Sequence, residues 1–304
     1  MNSLKSLIVG LALTVAAAPA LADPIVVSSK IDTEGNLLGN IVLQVLESHG
    51  LPVTNKVSLG STPIVRKAIA NGEIDIYPEY TGNAAFFFNK ADDSAWKDAA
   101  KGYEQAKKLD YDANKIVWLT PAPANNTWAI ALREQVASAN KVKTLDDFGK
   151  WVSGGGKVKL AGSSEFVNSA AALPAFQKAY GFTLKPDQLL VLSGGDTSAT
   201  IKASAEQSDG VNAAMVYGTD GAIGAAGLVV LDDDKAVQPV YAPTPIVREA
   251  VLKAYPEIAD DLKPVFASLD LKTLQTLNGR IQVNGESAKE VAADYLKSKG
   301  FVEK

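Results

Sequence analysis

Hydrophobic positions change period repeatedly along the chain. Residues 25–29 (IVVSS) form a β-rich run, whereas residues 33–49 place Leu37, Leu38, Ile41, Val45 and Leu46 on one helical stripe. Residues 57–59 read as a short strand. Ser61 or Thr62 then caps a helix with Pro63 at its start and Ile64, Ala68 and Ile69 turned inward. The next strand covers residues 73–77, where Ile74 and Ile76 flank Asp75, and Thr81, Gly82 and Asn83 signal the following turn. Each strand hands over to a loop and a helix start, through SSKIDTEG, GSTPIV and PEYTGN. The three loops therefore gather on one side of a sheet with parallel strands. In open α/β sheets that side, beyond the carboxyl ends of the strands, is where ligands bind.

The pattern restarts at NNTWAIALRE, after a PAPA linker. Residues 128–132, 158–161, 189–192 and 211–217 are strand-like, separated by helical patterns that include residues 144–152, 170–180 and 197–205. Residues 228–231 lead through the polar LDDDK loop to Pro239, Val240 and Tyr241, and Ile246 and a helical C-terminus complete the chain. A chain that leaves one α/β unit and returns to it later makes two crossings. The expectation is an α/β protein of two lobes, hinged at the crossings, with the ligand cleft between them. Residues 23–124 and 240–304 would form one lobe and residues 125–239 the other. The length of 304 residues also exceeds what one small core usually encloses.

The N-terminus changes what counts as fold. Lys5 supplies a positive start, residues 7–18 are apolar or small, and Ala20-Leu21-Ala22 is a small-x-small cleavage site. Residues 1–22 thus read as a secretory signal peptide, because an apolar run of about a dozen residues is too short to span a bilayer. The chain has no cysteine, which removes disulfides, thiolate metal sites, a thiol nucleophile and a lipid-bearing cysteine. Export without a lipid anchor points to the periplasm. The one histidine, His49 in ESHG, ends a helix before a glycine, where the helix dipole favours it. A formal net charge of -4 with interspersed signs argues against nucleic acid as a partner.

Two motifs invite phosphate chemistry and fail. SGGGK lacks the first glycine of a phosphate loop, where Trp151 stands, and Val158 follows the lysine. LSGGDTSAT offers Asp196 or Thr197 as a helix N-cap, which reads as a helix start. No nucleophile-and-base pair or metal-ligand set is evident at local spacing, so neither catalytic residues nor a metal or cofactor are expected. The aromatic residues at strand ends form a different constellation: Tyr80, Trp128, Tyr217 and Tyr241, drawn from both halves of the chain. Ring faces bind a quaternary ammonium, which has no hydrogen-bond donor, through cation–π attraction. At about 1 kcal/mol per ring, four rings give about 4 kcal/mol, a millimolar affinity that needs a second recognition element.

SSKIDTEG, DIYPEYTGN, PAPANNTWAIALR, VNAAMVYGTDG and QPVYAPTPIVRE resemble, in order and spacing, the marker segments of the substrate-binding proteins of ABC transporters for glycine betaine, choline and related osmoprotectants. The resemblance covers essentially the whole chain after residue 22. It implies a periplasmic binding-protein fold of the type II-like kind, with Tyr80, Trp128, Tyr217 and Tyr241 as the aromatic box. It further implies that Lys30 and Asn83 hold the ligand's carboxylate, and it puts Asn126 where some members have an aspartate. One position departs from the pattern. After Glu165-Phe166 the family's arginine is replaced by Ser169. A charge-assisted hydrogen bond to a carboxylate is worth roughly 1.5 to 3 kcal/mol, so its loss should weaken glycine betaine binding by about one to two decades. Arg66 and Arg248, which could substitute, read as helix-surface residues. The partners implied are a betaine- or choline-like small molecule, an ABC permease and its ATPase, with membrane contact only through the permease and the protein itself a monomer. The alternative is the same scaffold binding another small polar solute, such as an amino acid derivative.

Overall fold

The computed structural model describes residues 23–193 and 197–302, so the signal-peptide segment and Asp196 lie outside the described residues. Among the described residues ten strands fall into two sheets: β1 (Ile25–Lys30), β2 (Val53–Gly60), β3 (Ile76–Tyr80), β4 (Ile116–Trp118), β5 (Trp128–Arg133), β6 (Leu160–Ser163), β7 (Leu189–Leu192), β8 (Ala213–Tyr217), β9 (Leu228–Val230) and β10 (Pro243–Arg248). The first sheet has the order β2-β1-β3-β10-β4 and the second the order β7-β6-β8-β5-β9. The two-lobed α/β architecture expected from the sequence is therefore present. The sheets, however, are mixed rather than parallel throughout. β1 is parallel to β2 and β3, and β6 to β7 and β8, whereas β10 is antiparallel to β3 and β4, and β5 to β8 and β9.

The antiparallel strands have a common cause. β4 and β9 run in the same direction as β3 and β8 and end at the same edge, and the chain then crosses to the other lobe. The strand it enters must start at that edge and run away from it, which makes it antiparallel to the strands already there. Both crossings thus deliver strand beginnings to the edge where the other strands end. β3 and β8 bring their last residues, Tyr80 and Tyr217, to this edge, and β5 brings its first, Trp128. Trp128 is register-paired with Tyr217, and Tyr80 with Pro243, two residues past Tyr241.

Each lobe has its own core. The helix Thr33–Ser48 buries Leu37, Leu38, Ile41, Val45 and Leu46 against one face of the first sheet, as its stripe predicts, and the C-terminal helices add Leu262, Phe266, Leu274, Val291 and Leu296 to the same cluster. Val65, Ile69, Tyr77, Trp96, Trp118 and Ile246 fill the opposite face. The second lobe packs Ile130, Leu132, Phe148, Phe166, Phe176 and Met215 together. Local departures from the sequence reading have local reasons. The helix expected over residues 170–180 starts at Leu173 and runs to Tyr180, because Pro174 lacks the amide that a helix interior needs and is suited to the first turn; a separate short helix, Ser164–Asn168, precedes it. Arg66 is not a surface residue: it makes a bidentate pair with fully buried Asp110, at 2.7 and 2.6 Å, and Trp118 Nε1 donates to the same carboxylate at 2.8 Å. Arg248 ends β10 rather than lying on a helix and pairs with Asp75 at 3.5 Å. Neither arginine lines the cavity described next.

Candidate functional site

A cavity of about 610 Å³ opens where the strand edges of the two lobes meet. Tyr80, Trp128, Tyr217 and Tyr241 all line it, as do Lys30, Asn83 and Asn126. Tyr80 is nearly inaccessible, at 5% exposure. Burial raises the hydroxyl pKa of each tyrosine: Tyr80 well above its ordinary value, Tyr217 upward, and Tyr241 to about 12. All three rings are therefore neutral under physiological conditions. Trp128 stands edge-on to Phe166, with centroids 6.1 Å apart, so its orientation is fixed by the second lobe's core. Tyr241 is fixed by a glycine. A Cβ on Gly82 would lie 2.8 Å from the Tyr241 ring, so the turn after β3 lets the ring approach only because no side chain is there.

The polar groups are arranged less simply than the sequence suggests. Lys30 Nζ forms an ion pair with Glu79, a fully buried residue, and lies 4.5 Å from the centre of the Tyr80 ring. Glu79 also accepts hydrogen bonds from the Tyr77 hydroxyl at 2.8 Å, the Tyr80 amide at 2.7 Å and Asn83 Nδ2 at 2.7 Å. Lys30 and Asn83, read from the sequence as ligand anchors, thus share one carboxylate within the protein. Ser169 does not line the cavity. It is half-buried and follows the helix Ser164–Asn168, with its amide bonded to Glu165 O at 2.8 Å.

Sequence reasoning missed several lining residues. Glu34, in the first turn of the helix Thr33–Ser48, is 4% exposed and accepts from the Tyr80 hydroxyl at 2.9 Å, Asn126 Nδ2 at 3.1 Å and Asn278 Nδ2 at 2.7 Å. Burial, the largest influence, lifts its carboxyl pKa from near 4.5 to about 7; hydrogen bonds from Thr219, Asn278 and Tyr80 oppose the rise and nearby Asp32 adds to it. Asn278 comes from the helix Leu271–Gln282 and also donates to Thr219 O at 2.9 Å, joining that helix to the turn after β8. Gly221 in this turn approaches Gly279 so closely that a Cβ would lie 1.9 Å from the Gly279 nitrogen. Thr197 and Ser198, which open the helix Thr197–Ala205, complete the second lobe's side of the lining. Of the sequence-quoted motifs, SSKIDTEG and EYTG already contain Glu34 and Glu79, but neither carboxylate carries a local signal that sets it apart from an ordinary first-turn or strand-end acid.

Two α/β lobes, joined by crossings and sharing an aromatic-lined cavity at their common edge, define a two-lobed solute-binding protein. Comparison with known proteins specifies the kind. Residues 23–298 match the family described as the substrate-binding domain of the ABC-type glycine betaine transport system, and the chain belongs to this family. It is 64% identical over 280 residues to the glycine betaine-binding protein YehZ of Escherichia coli (strain K12), covering 92% of each chain. It is 32% identical over 304 residues to a glycine-betaine-binding protein of Pseudomonas aeruginosa, covering 98% of this chain and 95% of that one. The solved structure of apo YehZ matches at a TM-score of 0.86 and 63% identity, covering 92% of this chain and all of the other (100%). These relatives are binding proteins of transport systems, not enzymes. Among the described residues no helix is long and apolar enough to cross a membrane.

Proposed function

We propose that this protein captures glycine betaine or a related quaternary amine in the interlobe cavity and presents it to a permease driven by a separate ATPase. The supporting observation is the convergence of Tyr80, Trp128, Tyr217 and Tyr241, from both lobes, on one cavity. A ligand that touches both lobes stabilises the closed arrangement by its differential affinity, and the permease reads that state. Residues 23–124 with 240–304 and residues 125–239 are the bodies that move, and the protein works as a monomer. Residues 1–22 direct it to the periplasm and are removed. The family match, which begins at residue 23, supports that boundary. Betaine affinity is weak in this reading, because Ser169 replaces the arginine and Lys30 is already paired with Glu79.

A second reading has its own support. The unpaired Asn126 Oδ1 and Asn278 Oδ1 are acceptors, which an N–H-bearing polar solute would use and a quaternary amine would not. Calorimetric titration of refolded, ligand-stripped protein with glycine betaine, choline and proline betaine to millimolar concentrations separates the two. Saturable binding within this series is the expected result. Silence across it would turn the scaffold over to another solute.

A further inference from the structure

Glu34 is the least explained group in the cavity. Asp32, Glu34 and Asp220 line it, whereas the basic residue of the lining, Lys30, is bound to Glu79. Glu34 faces Tyr80 of β3, Asn126 of the first crossing, Thr219 beyond β8, Asn278 of the helix Leu271–Gln282, and Asp32, which follows β1; Lys30 and Asp220 line the same cavity. No ammonium or guanidinium of the described residues forms an ion pair with it. A buried carboxylate without a counter-cation either stays neutral or waits for one.

Resting on the proposal that the ligand carries a cationic head, we propose that Glu34 is that cation's counter-charge, and that filling the cavity drives a proton off its carboxyl group into the solvent. The empty cavity can hold either state. Ionised, Glu34 accepts the hydroxyl and both amide donors. Protonated, it needs an acceptor for its own O–H, and the buried, unpaired Oδ1 atoms of Asn126 and Asn278 sit on the two amides already in contact with it. Turning the Asn126 amide over would supply that acceptor, whereas Asn278 is held as it stands by its second bond, to Thr219 O. A ligand cation in the aromatic box selects the ionised state. The raised pKa of about 7 places this exchange near neutrality. Apparent affinity then scales with the fraction ionised before binding, which falls about tenfold between pH 8 and pH 6. At pH 6 binding releases close to one proton, and at pH 8 close to none.

The test is calorimetry with tetramethylammonium chloride and with glycine betaine at pH 6, 7 and 8, at constant ionic strength, in pairs of buffers with different ionisation enthalpies. Wild-type affinity for both probes should fall about tenfold from pH 8 to pH 6, with proton uptake by the buffer at the lower pH. Glu34→Gln should bind with the same affinity at all three pH values and release no proton. His49→Gln removes the one imidazole, which lies at the far end of the same helix, and should behave as wild type. If Glu34→Gln does not fold, the buffer dependence of heat in His49→Gln decides. Affinity independent of pH, or pH dependence that survives in Glu34→Gln, overturns the proposal. Tetramethylammonium binding with proton release while betaine stays silent would support Glu34's role and refute the betaine assignment. Silence of both probes at every pH would overturn both.

Discussion

Replacing Glu34 with glutamine isolates what it costs to keep a carboxylate in the empty cavity. Glu34 is 4% exposed, and its pKa lies at about 7 instead of near 4.5, chiefly through burial. In the unfolded chain it is ionised at pH 8, so folding at that pH buries a charge that water holds better, at a cost of about 3 kcal/mol. Below the unfolded pKa the carboxyl is neutral in both states and the cost vanishes. The stability that its proton confers is therefore complete below pH 4.5 and is lost as pH rises through about 7. Glutamine cannot ionise but forfeits one hydrogen bond, worth about 1 kcal/mol. The ligand-free variant should accordingly exceed wild type by about 2 kcal/mol at pH 8 and lose that advantage near pH 4.5. For a chain of this size that is about 3 to 4 °C in Tm. Scanning calorimetry of stripped protein at the two pH values measures it, and the same Tm difference at both would refute the account of Glu34 as a strained charge.

Tyr80→Ala and Tyr217→Ala should each weaken quaternary-amine binding about fivefold or more, by loss of one ring's cation–π contact and of the cavity's shape, as read by titration; wild-type affinity in both would make the rings structural. Ser169→Arg should tighten glycine betaine about tenfold and leave choline, which has no carboxylate, unchanged; because Ser169 does not itself line the cavity, equal effects on both ligands would remove that position from carboxylate binding. Gly82→Ala should lower affinity without unfolding the protein, since the added Cβ displaces the Tyr241 ring and the backbone there, at φ -63, is unstrained. Asp110→Ala should destabilise by about 3 to 5 kcal/mol in denaturant unfolding, because it strands the Arg66 guanidinium and the Trp118 indole.

The rings were legible in the sequence and the charges were not. Tyr80 and Tyr217 each run into a turn signal, so a strand reading puts them at an edge. Trp128 and Tyr241 follow the two crossings, and their placement required the crossings to be recognised. The antiparallel sense of β5 and β10 was not visible, because hydrophobic pattern carries no strand direction. The pairing of Lys30 with Glu79 was not visible for a similar reason. Glu79 sits inside a quoted motif, but its pairing with a lysine 49 residues earlier is a fact of sheet order. Glu34 carries no mark in the sequence beyond that of any first-turn acid, which a helix dipole favours. Its partner Asn278 lies 244 residues away on a helix whose pattern signals only packing. Helices were placed well where one face is apolar, and begun too early where Pro174 sets the first turn.

The position of β10 sets an order of events for the growing chain. This strand lies between β3 and β4, yet it arrives after every strand of the second sheet. The second sheet is built from a continuous segment, 128–230, and can form as soon as that segment is available. The first sheet must wait for residue 248, holding the edges of β3 and β4 unpaired while more than a hundred residues emerge. Its closure spans long loops, such as the bond from Tyr241 N to Asn125 Oδ1 across 116 residues, and such contacts form slowly. Truncation before residue 243 should therefore leave a second lobe able to fold beside a first lobe that exposes two sticky edges.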